Sequence, residues 1–221
     1  MVIAHLYSDL LNLYGNDGNI KILVNKLKQI GEDVEVVYPT VKDNMEFEKY
    51  DFIYMGSGTE GNQEIAIEDL KRYENEISKV VEENKIFLIT GNSIDIFGKE
   101  LVGEKTIRGL GIFNYTSKYV PRIRKDVLYK ASFLENPILG YENHNYILES
   151  NEHPLWEDQG IKYNEFYGTY TEGPILVRNP EFLKYFISKL VTNKDNLEKL
   201  DLELETKAYN NFRMLLNHLE K

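Results

Sequence analysis

The first ninety residues alternate between short apolar runs and longer segments whose apolar residues recur at helical spacing. Four runs have the length and composition of buried strands: 2–7, 34–38, 51–55 and 85–90. Between them, apolar residues recur every three or four positions over 20–30 and 65–81, which predicts two helices. Short apolar strands separated by helices are typical of a parallel sheet that is buried on both faces. We therefore predict an α/β fold whose sheet is parallel in its first half.

The second half has a different pattern, with turns and β-branched or aromatic clusters over residues 106–150. We expect these residues to add strands on the far side of the same sheet, with antiparallel pairing as one arrangement. Asn179 followed by Pro180 predicts a helix start with Asn179 as its N-cap, and a last helix is predicted from about Leu202 to Leu219. Because no internal repeat or linker interrupts the chain, residues 1–221 are predicted to form one domain.

Composition narrows the function classes. The chain has no cysteine, which excludes disulfides, thiolate metal sites and a catalytic thiol, and its histidines lack the spacing of metal ligands, so no metal or cofactor is predicted. A net charge of −10 disfavours nucleic-acid binding, although Arg122, Arg124 and Lys125 form a small basic cluster. With no signal peptide and no apolar run near the roughly 20 residues of a membrane span, we predict a soluble cytoplasmic protein without a membrane span.

Two glycine-containing turns follow predicted strands at the positions where ligands bind in α/β sheets. Residues 56–61 (Gly-Ser-Gly-Thr-Glu-Gly) could point backbone amides at an anion or oxyanion, or form a plain tight turn. Residues 90–93 (Thr-Gly-Asn-Ser) have the strand–turn–helix pattern of a nucleophile elbow, but glycine stands at the nucleophile position. An ordinary strand-to-helix turn is the alternative there. Two later segments, 140–144 and 168–174, would each be taken for structural loops in isolation.

Taken together with the block 7–20, these segments resemble the class I (triad) glutamine amidotransferase family. Within that family they are most similar to the cobyric-acid-synthase-like branch that includes GatD, the amidotransferase subunit of lipid II isoglutaminyl synthase. The blocks occur in the family's order over nearly the whole chain. The resemblance implies a flavodoxin-like sheet and hydrolysis of the side-chain amide of glutamine. In that chemistry a cysteine on the elbow attacks, a histidine activates it, an acidic residue orients the histidine, and the ammonia passes to a partner synthase.

Two positions depart from the family pattern. The family elbow reads Cys-Gly-Gly-Tyr-Gln-x-x-Gly, and its cysteine corresponds to Gly91. The family's histidine block reads Gly-Thr-Tyr-x-His-Gly-Pro, and its histidine corresponds to Glu172. The resemblance therefore implies a protein that has lost its glutaminase machinery. An altered hydrolase is the alternative, with Ser93 paired to Glu172, or with Thr90 or Asn92 at the elbow after a one-residue shift of the alignment.

Several ligand-binding positions of the family are matched. Arg122 matches an arginine that holds the glutamine substrate, Gln63 matches a glutamine beside the oxyanion loop, and Ser57 replaces a glycine in that loop. His144, in the 140–144 block, is expected to be structural. The candidate ligand-binding residues are therefore Arg122, Gly56, Ser57, Gly58, Gln63 and Asn92.

Three functions remain open at this stage. The leading hypothesis, implied by the resemblance, is a non-catalytic GatD-like subunit of a MurT-like, Mur-ligase-related synthase in peptidoglycan amidation, which could also bind L-glutamine or a similar small ligand. The second is a residual or altered amidohydrolase. The third is a stand-alone protein that binds a small ligand.

Overall fold

The computed structural model describes residues 1–156 and 159–219, which contain ten strands and six α-helices. The strands are β1 (Val2–His5), β2 (Glu35–Val37), β3 (Phe52–Met55), β4 (Ile86–Thr90), β5 (Glu100–Val102), β6 (Thr106–Arg108), β7 (Thr116–Tyr129), β8 (Ile138–Glu149), β9 (Ile161–Tyr163) and β10 (Phe166–Thr169). The helices are α1 (Asp17–Gln29), α2 (Glu60–Leu70), α3 (Glu74–Glu82), α4 (Ile175–Arg178), α5 (Pro180–Leu190) and α6 (Glu203–Leu219).

Six strands form the central sheet in the order β2-β1-β3-β4-β10-β9. The first five run parallel, and β9 pairs antiparallel with β10 at the edge. The four strands predicted in the first ninety residues are all present, each within two residues of its predicted bounds. The prediction of an α/β fold with a parallel sheet is therefore confirmed.

Helices cover the central sheet on both faces, as the uninterrupted apolar strands require. On β3, Phe52 and Tyr54 point to the core shared with α1 and α5, whereas Ile53 and Met55 point to the core shared with α2 and α3. All four side chains are fully buried. The period of two in a strand thus divides a continuous apolar run between two cores.

The expectation for residues 106–150 was wrong in one respect. They do not extend the central sheet but form, with β5, a separate four-stranded sheet in the order β6-β5-β7-β8. The position beside β4 is taken by the later strand β10, which pairs with it in parallel. Strands β7 and β8 instead pair with each other as a long antiparallel hairpin, much of whose surface is exposed.

Two local predictions also need correction. The helix expected over 65–81 is broken at Lys71–Tyr73, a 3-10 turn between α2 and α3, where the Tyr73 hydroxyl donates to the Asp43 carbonyl at 2.9 Å. Asn179 precedes α5 as predicted, but its side chain does not cap the helix. It bonds the backbone of Leu139 in β8 instead, with its Oδ1 2.7 Å from the amide nitrogen and its Nδ2 2.8 Å from the carbonyl oxygen.

Parallel strands β1, β3, β4 and β10 all end at one edge of the central sheet, which is where ligands bind in folds of this kind. The loops that follow them therefore converge and bring together residues distant in the chain. No helix in the described part of the chain combines the length and the apolar character that a membrane crossing requires.

Candidate functional site

The loops after β3, β4 and β10 bring Ser57, Gly91 and Glu172 into mutual contact. The Ser57 hydroxyl donates a hydrogen bond to Oε2 of Glu172 and accepts one from the side-chain amide of Asn16 at 2.9 Å. All of these side chains are buried. Gly91 and Glu172, the positions expected from the resemblance to correspond to the family's nucleophile and histidine, are therefore neighbours.

Gly91 is constrained twice, by its backbone and by its surroundings. Its φ of +63° lies in the left-handed region, as the sharp turn between β4 and the following 3-10 helix requires. A Cβ at this position would lie 2.4 Å from the Cβ of Ser57 and 2.7 Å and 2.8 Å from the two carboxylate oxygens of Glu172. The side chains of Ser57 and Glu172 thus occupy the space that a nucleophile at position 91 would need.

Glu172 is a buried acid, with 4% of its surface exposed. Burial raises the pKa of its carboxyl group from 4.5 to about 7, against the opposing effect of the hydrogen bond from Ser57. Its backbone amide donates to the carbonyl of Tyr141 at 2.7 Å, which fixes the loop after β10 to β8. The Glu172 carboxyl group, which is closed to solvent, therefore keeps its proton to a higher pH than an exposed glutamate does.

The glycine-rich loop after β3 is bonded to the elbow rather than left free for an anion. The Gly58 amide donates to Oδ1 of Asn92 at 3.1 Å, and Nδ2 of Asn92 donates to the Gly58 carbonyl at 3.0 Å. Gln63, in α2, donates to the Asn92 carbonyl at 2.5 Å. The amide that an oxyanion hole would use is thus engaged within the protein.

Ser93 does not face Glu172. Its hydroxyl donates to the carbonyl of Gly56, and the side chain is fully buried. Thr90, the other hydroxyl of the elbow, lies 2.9 Å from the hydroxyl of Tyr54. The hydroxyl that contacts the carboxylate is that of Ser57, which differs from the pairing considered in the sequence-based hypothesis of an altered hydrolase.

Arg122 lies apart from the buried group, on β7 where the pairing with β8 is irregular between Tyr119 and Ile123. About half of its side chain is exposed, and its guanidinium is 4.0 Å from the carboxylate of Glu60, the first residue of α2. Arg122 therefore borders the glycine-rich loop from the rim. An arginine in such a place could grip a carboxylate that approaches from solvent.

Behind the elbow lies a buried polar cluster that sequence reasoning recognised only in part. Asp95 accepts a hydrogen bond from the Tyr170 hydroxyl at 2.5 Å, and burial raises its pKa from 3.8 to about 6. The ring of Tyr170 stacks on that of His144 at a centroid distance of 4.0 Å. His144 has a partner at each ring nitrogen, the Tyr146 carbonyl at 2.7 Å and Glu142 at 3.4 Å. It fills the structural role expected of it.

Sequence reasoning missed Asn16, Asp95 and Tyr170, although all three lie in or beside the blocks that carry the family resemblance. The bond from Asn16 to Ser57 depends on how the loop after β1 folds back, which the sequence does not reveal. Over the described ranges 1–156 and 159–219, no group of three or more His, Asp or Glu side chains is arranged to hold a metal ion.

Comparison with known proteins agrees with the fold described above and with the family resemblance of the sequence. The family model for the CobB/CobQ-like glutamine amidotransferase domain matches residues 2–180. The GatD subunit of lipid II isoglutaminyl synthase (glutamine-hydrolyzing) from Staphylococcus aureus is 27% identical over 226 residues, covering 94% of this chain and 93% of that protein. The corresponding subunit from Streptococcus pneumoniae is 27% identical over 210 residues, covering 87% of this chain and 81% of that protein.

Solved structures with a similar fold include a glutamine amidotransferase, with a TM-score of 0.56 at 18% identity over 86% of this chain and 98% of that one. The PurLQS structure from Thermotoga maritima gives a TM-score of 0.54 at 13% identity over 96% of this chain and 98% of the matched chain. At these identities the likeness concerns the fold. The fold is that of the class I glutamine amidotransferases.

Proposed function

The chain belongs to the family of CobB/CobQ-like glutamine amidotransferase domains, and from that membership we propose that it is a GatD-like subunit without glutaminase activity. In this proposal it acts in the cytoplasm as the non-catalytic partner of a MurT-like, Mur-ligase-related synthase that amidates peptidoglycan precursors. The proposal has two parts, the absence of catalysis and the presence of a partner, and each has its own support.

The absence of catalysis is supported by the packing around position 91. A side chain there would overlap the side chains of Ser57 and Glu172. Hydrolysis of an amide by this family's mechanism needs a nucleophilic side chain on the elbow, and glycine has none. The serine that replaces a family glycine at position 57 stands 2.4 Å from where the Cβ of that nucleophile would be. Gly91, Ser57 and Glu172 therefore form one packed arrangement rather than two independent losses, and this is the observation that carries the proposal.

The partner is supported by the relatives. Both GatD proteins are named as subunits of lipid II isoglutaminyl synthase, and this chain matches them over most of its length and theirs. A subunit that has lost its own chemistry can still be retained for its contribution to an assembly. In this proposal, the chain contributes the surface that contacts the synthase.

The first test is glutamate release from L-glutamine by the purified chain. We expect no release above the buffer rate. The informative variant is Ser57→Gly/Gly91→Cys/Glu172→His, which restores the family residues and also removes the side chain that crowds position 91. The matched control is Gly91→Cys/Glu172→His, in which Ser57 still crowds the new cysteine, and it should fold less well than the triple variant.

Release of glutamate by the native chain would overturn the loss of catalysis. In that case Ser57→Ala and Ser93→Ala would show which of the two hydroxyl groups is the nucleophile. Of the two, only the Ser57 hydroxyl contacts Glu172. Loss of release in either variant would identify the nucleophile of an altered hydrolase, the alternative function.

The second test addresses the partner. Affinity purification of the tagged chain from its own cells should recover a Mur-ligase-like protein in comparable molar amount. Recovery of the chain alone, or with an unrelated enzyme, would overturn this part of the proposal and favour a stand-alone ligand-binding protein. Mutation of Arg122 to alanine then tests whether L-glutamine binds at the rim, by the loss of a thermal shift on adding L-glutamine.

A further inference from the structure

A second polar site lies at the carboxyl ends of β1 and β2, on the same edge of the sheet as the elbow. It is a cavity of about 220 Å³ beside the first turn of α1. His5, the last residue of β1, forms part of its wall, together with Ser8, Asp17, Lys21 and Tyr38. In parallel α/β sheets this edge is where ligands bind. The cavity lies outside the packed arrangement of Ser57, Gly91 and Glu172.

His5 is the unusual member of this wall. Only 1% of its surface is exposed, yet within the described residues neither ring nitrogen has a hydrogen-bond partner. Buried polar atoms in proteins nearly always have one, because leaving them unmatched is costly. Burial lowers the pKa of His5 from 6.5 to about 4, so that the neutral ring offers one donor and one acceptor. Its aromatic contacts, to Tyr38 and Tyr54, hold the ring without satisfying either nitrogen.

The charged members of the wall carry opposite signs. Asp17 opens α1, and its carboxylate forms an ion pair with Lys21 one turn later. The Lys21 side chain is 76% exposed and that of Asp17 35% exposed. Exposed ion pairs contribute little to stability, so their charges are free to exchange partners with a ligand. Asp17 lines the same cavity as His5, and its negative charge opposes the effect of burial on the His5 pKa.

This combination of groups restricts the ligand. A simple anion would be repelled by Asp17, and a simple cation by Lys21. A molecule that carries both an ammonium and a carboxylate satisfies both. The cavity is smaller than the roughly 300 Å³ at which sites for drug-sized ligands begin, which limits the ligand to a small metabolite.

We propose that this cavity binds a small α-amino acid as its zwitterion. The ammonium group lies against Asp17, the carboxylate against Lys21, and a polar side chain reaches inward to the imidazole of His5. Tyr38, which is 58% exposed, lines the outer part of this site. The site does not depend on the function proposed above, since it uses none of the residues of the elbow.

The test is a titration of the full chain with L-glutamine, L-glutamate and L-serine, followed by calorimetry and by the NMR signals of the His5 ring. N-acetyl-L-glutamine and L-glutaminamide serve as matched probes, because each lacks one of the two charges. We expect one of the free amino acids to shift the His5 signals and to bind, and its singly charged derivatives to bind about tenfold or more weakly, the loss expected for one charge-assisted hydrogen bond.

Two variants test the assignment of the groups. His5→Phe and Lys21→Met should each weaken binding by about tenfold or more. Lys28→Met, at an exposed position farther along α1, is the control for loss of a lysine and should leave the affinity unchanged.

Three results would overturn the proposal. The first is the absence of any shift of the His5 signals with the three amino acids at about 10 mM, tenfold above the roughly 1 mM upper end of ordinary substrate affinities. The second is binding that survives both His5→Phe and Lys21→Met. The third is equal affinity for the free amino acid and its derivatives, because the zwitterion would then not be what is recognised.

Discussion

Two strand ends on the same edge of the sheet have opposite characters. At the end of β4, the side chains of Ser57, Asn92 and Ser93 around Gly91 are all hydrogen-bonded: Ser57 bonds Glu172, Asn92 bonds Gly58, and Ser93 bonds the backbone. At the end of β1, a fully buried histidine has no hydrogen-bond partner within the described residues and borders a cavity. The elbow, where the resemblance places the family's chemistry, is tightly packed, whereas the end of β1 borders a cavity.

The contrast fits the proposed loss of catalysis. If the elbow has lost its catalytic group, as we propose, nothing maintains the space that the group would need, and neighbouring side chains can fill it and bond one another, as Ser57 and Glu172 do. An unmatched buried imidazole costs free energy of folding and has no such explanation in packing. Its persistence is explained if the free energy is recovered when a ligand binds.

The strongest test of the packing around Gly91 is a substitution that adds a side chain at position 91. Gly91→Ala adds a Cβ that must displace Ser57 or Glu172, and it forces alanine into the left-handed region at φ +63°. Overpacking costs about 1–3 kcal/mol and the left-handed backbone a further 1–2 kcal/mol or so. We therefore expect the free energy of unfolding to fall by about 3 kcal/mol, measured by chemical denaturation.

Gly111 offers the matched control. Its φ is +65°, and no atom lies within 4 Å of a Cβ built on it. Gly111→Ala therefore reports the backbone cost alone, about 1–2 kcal/mol. Ser57→Gly introduced together with Gly91→Ala should recover part of the difference. Equal losses in Gly91→Ala and Gly111→Ala would mean that the elbow is not closed in the way described.

The next effect is a pH dependence at Glu172. Its pKa is raised from 4.5 to about 7, so between these values the native state holds a proton that the unfolded chain has released. The native state then binds more protons, and its stability falls as the pH rises through this range. Glu172→Gln does not titrate, and its side-chain carbonyl can still accept the hydrogen bond from Ser57. Its stability relative to the native chain should therefore increase by up to roughly 3 kcal/mol from pH 4.5 to 8.

Both proteins share every other titrating group, so unfolding measured in the same buffers isolates this carboxyl. Asp95, with its pKa of about 6, is among the shared groups. A stability difference between native chain and variant that stays constant over the whole range would contradict the assignment of a buried, protonated Glu172.

The sequence allowed prediction of the first four strands of the central sheet but not of β9, β10 or the second sheet. Strands β1, β3 and β4 are continuous apolar runs, whose burial on both faces leaves a clear signal. Many residues of β7 are exposed, whereas those of β8 are mostly buried or partly buried, and this mixed pattern alone does not say which sheet the two strands join. The position beside β4 is occupied by β10, a short strand distant in the chain, so β7 and β8 pair in a separate sheet.

The candidate site was predictable as a set of positions and not as a set of contacts. The blocks containing Gly91 and Glu172 were identified from their residues, and the structure brings the two together. The partner of Glu172 was not identified, because Ser57 reaches it only through the conformation of three loops. His5 gave no signal, since an unpaired imidazole differs from a bonded one only in its surroundings.

The last effect belongs to the region around His5 and has the opposite sign of pH dependence. The pKa of His5 is lowered to about 4, so between pH 4 and 6.5 the unfolded chain binds a proton that the native state does not. The stability of the native chain therefore rises with pH in this range. His5→Phe should be more stable than the native chain at pH 4.5, and the difference should narrow towards pH 7 to about 1 kcal/mol, the residual cost of the unmatched ring.

His153→Phe, at an exposed histidine, controls for the loss of an imidazole as such. The comparison becomes sharpest with the bound amino acid present, because a ligand that binds only the native state stabilises it by mass action. Saturating amino acid should then make the native chain more stable than His5→Phe at pH 7 and reverse the order found without ligand. If the order does not reverse, the cavity at β1 does not recover the cost of its histidine by binding, and the two strand ends differ in packing alone.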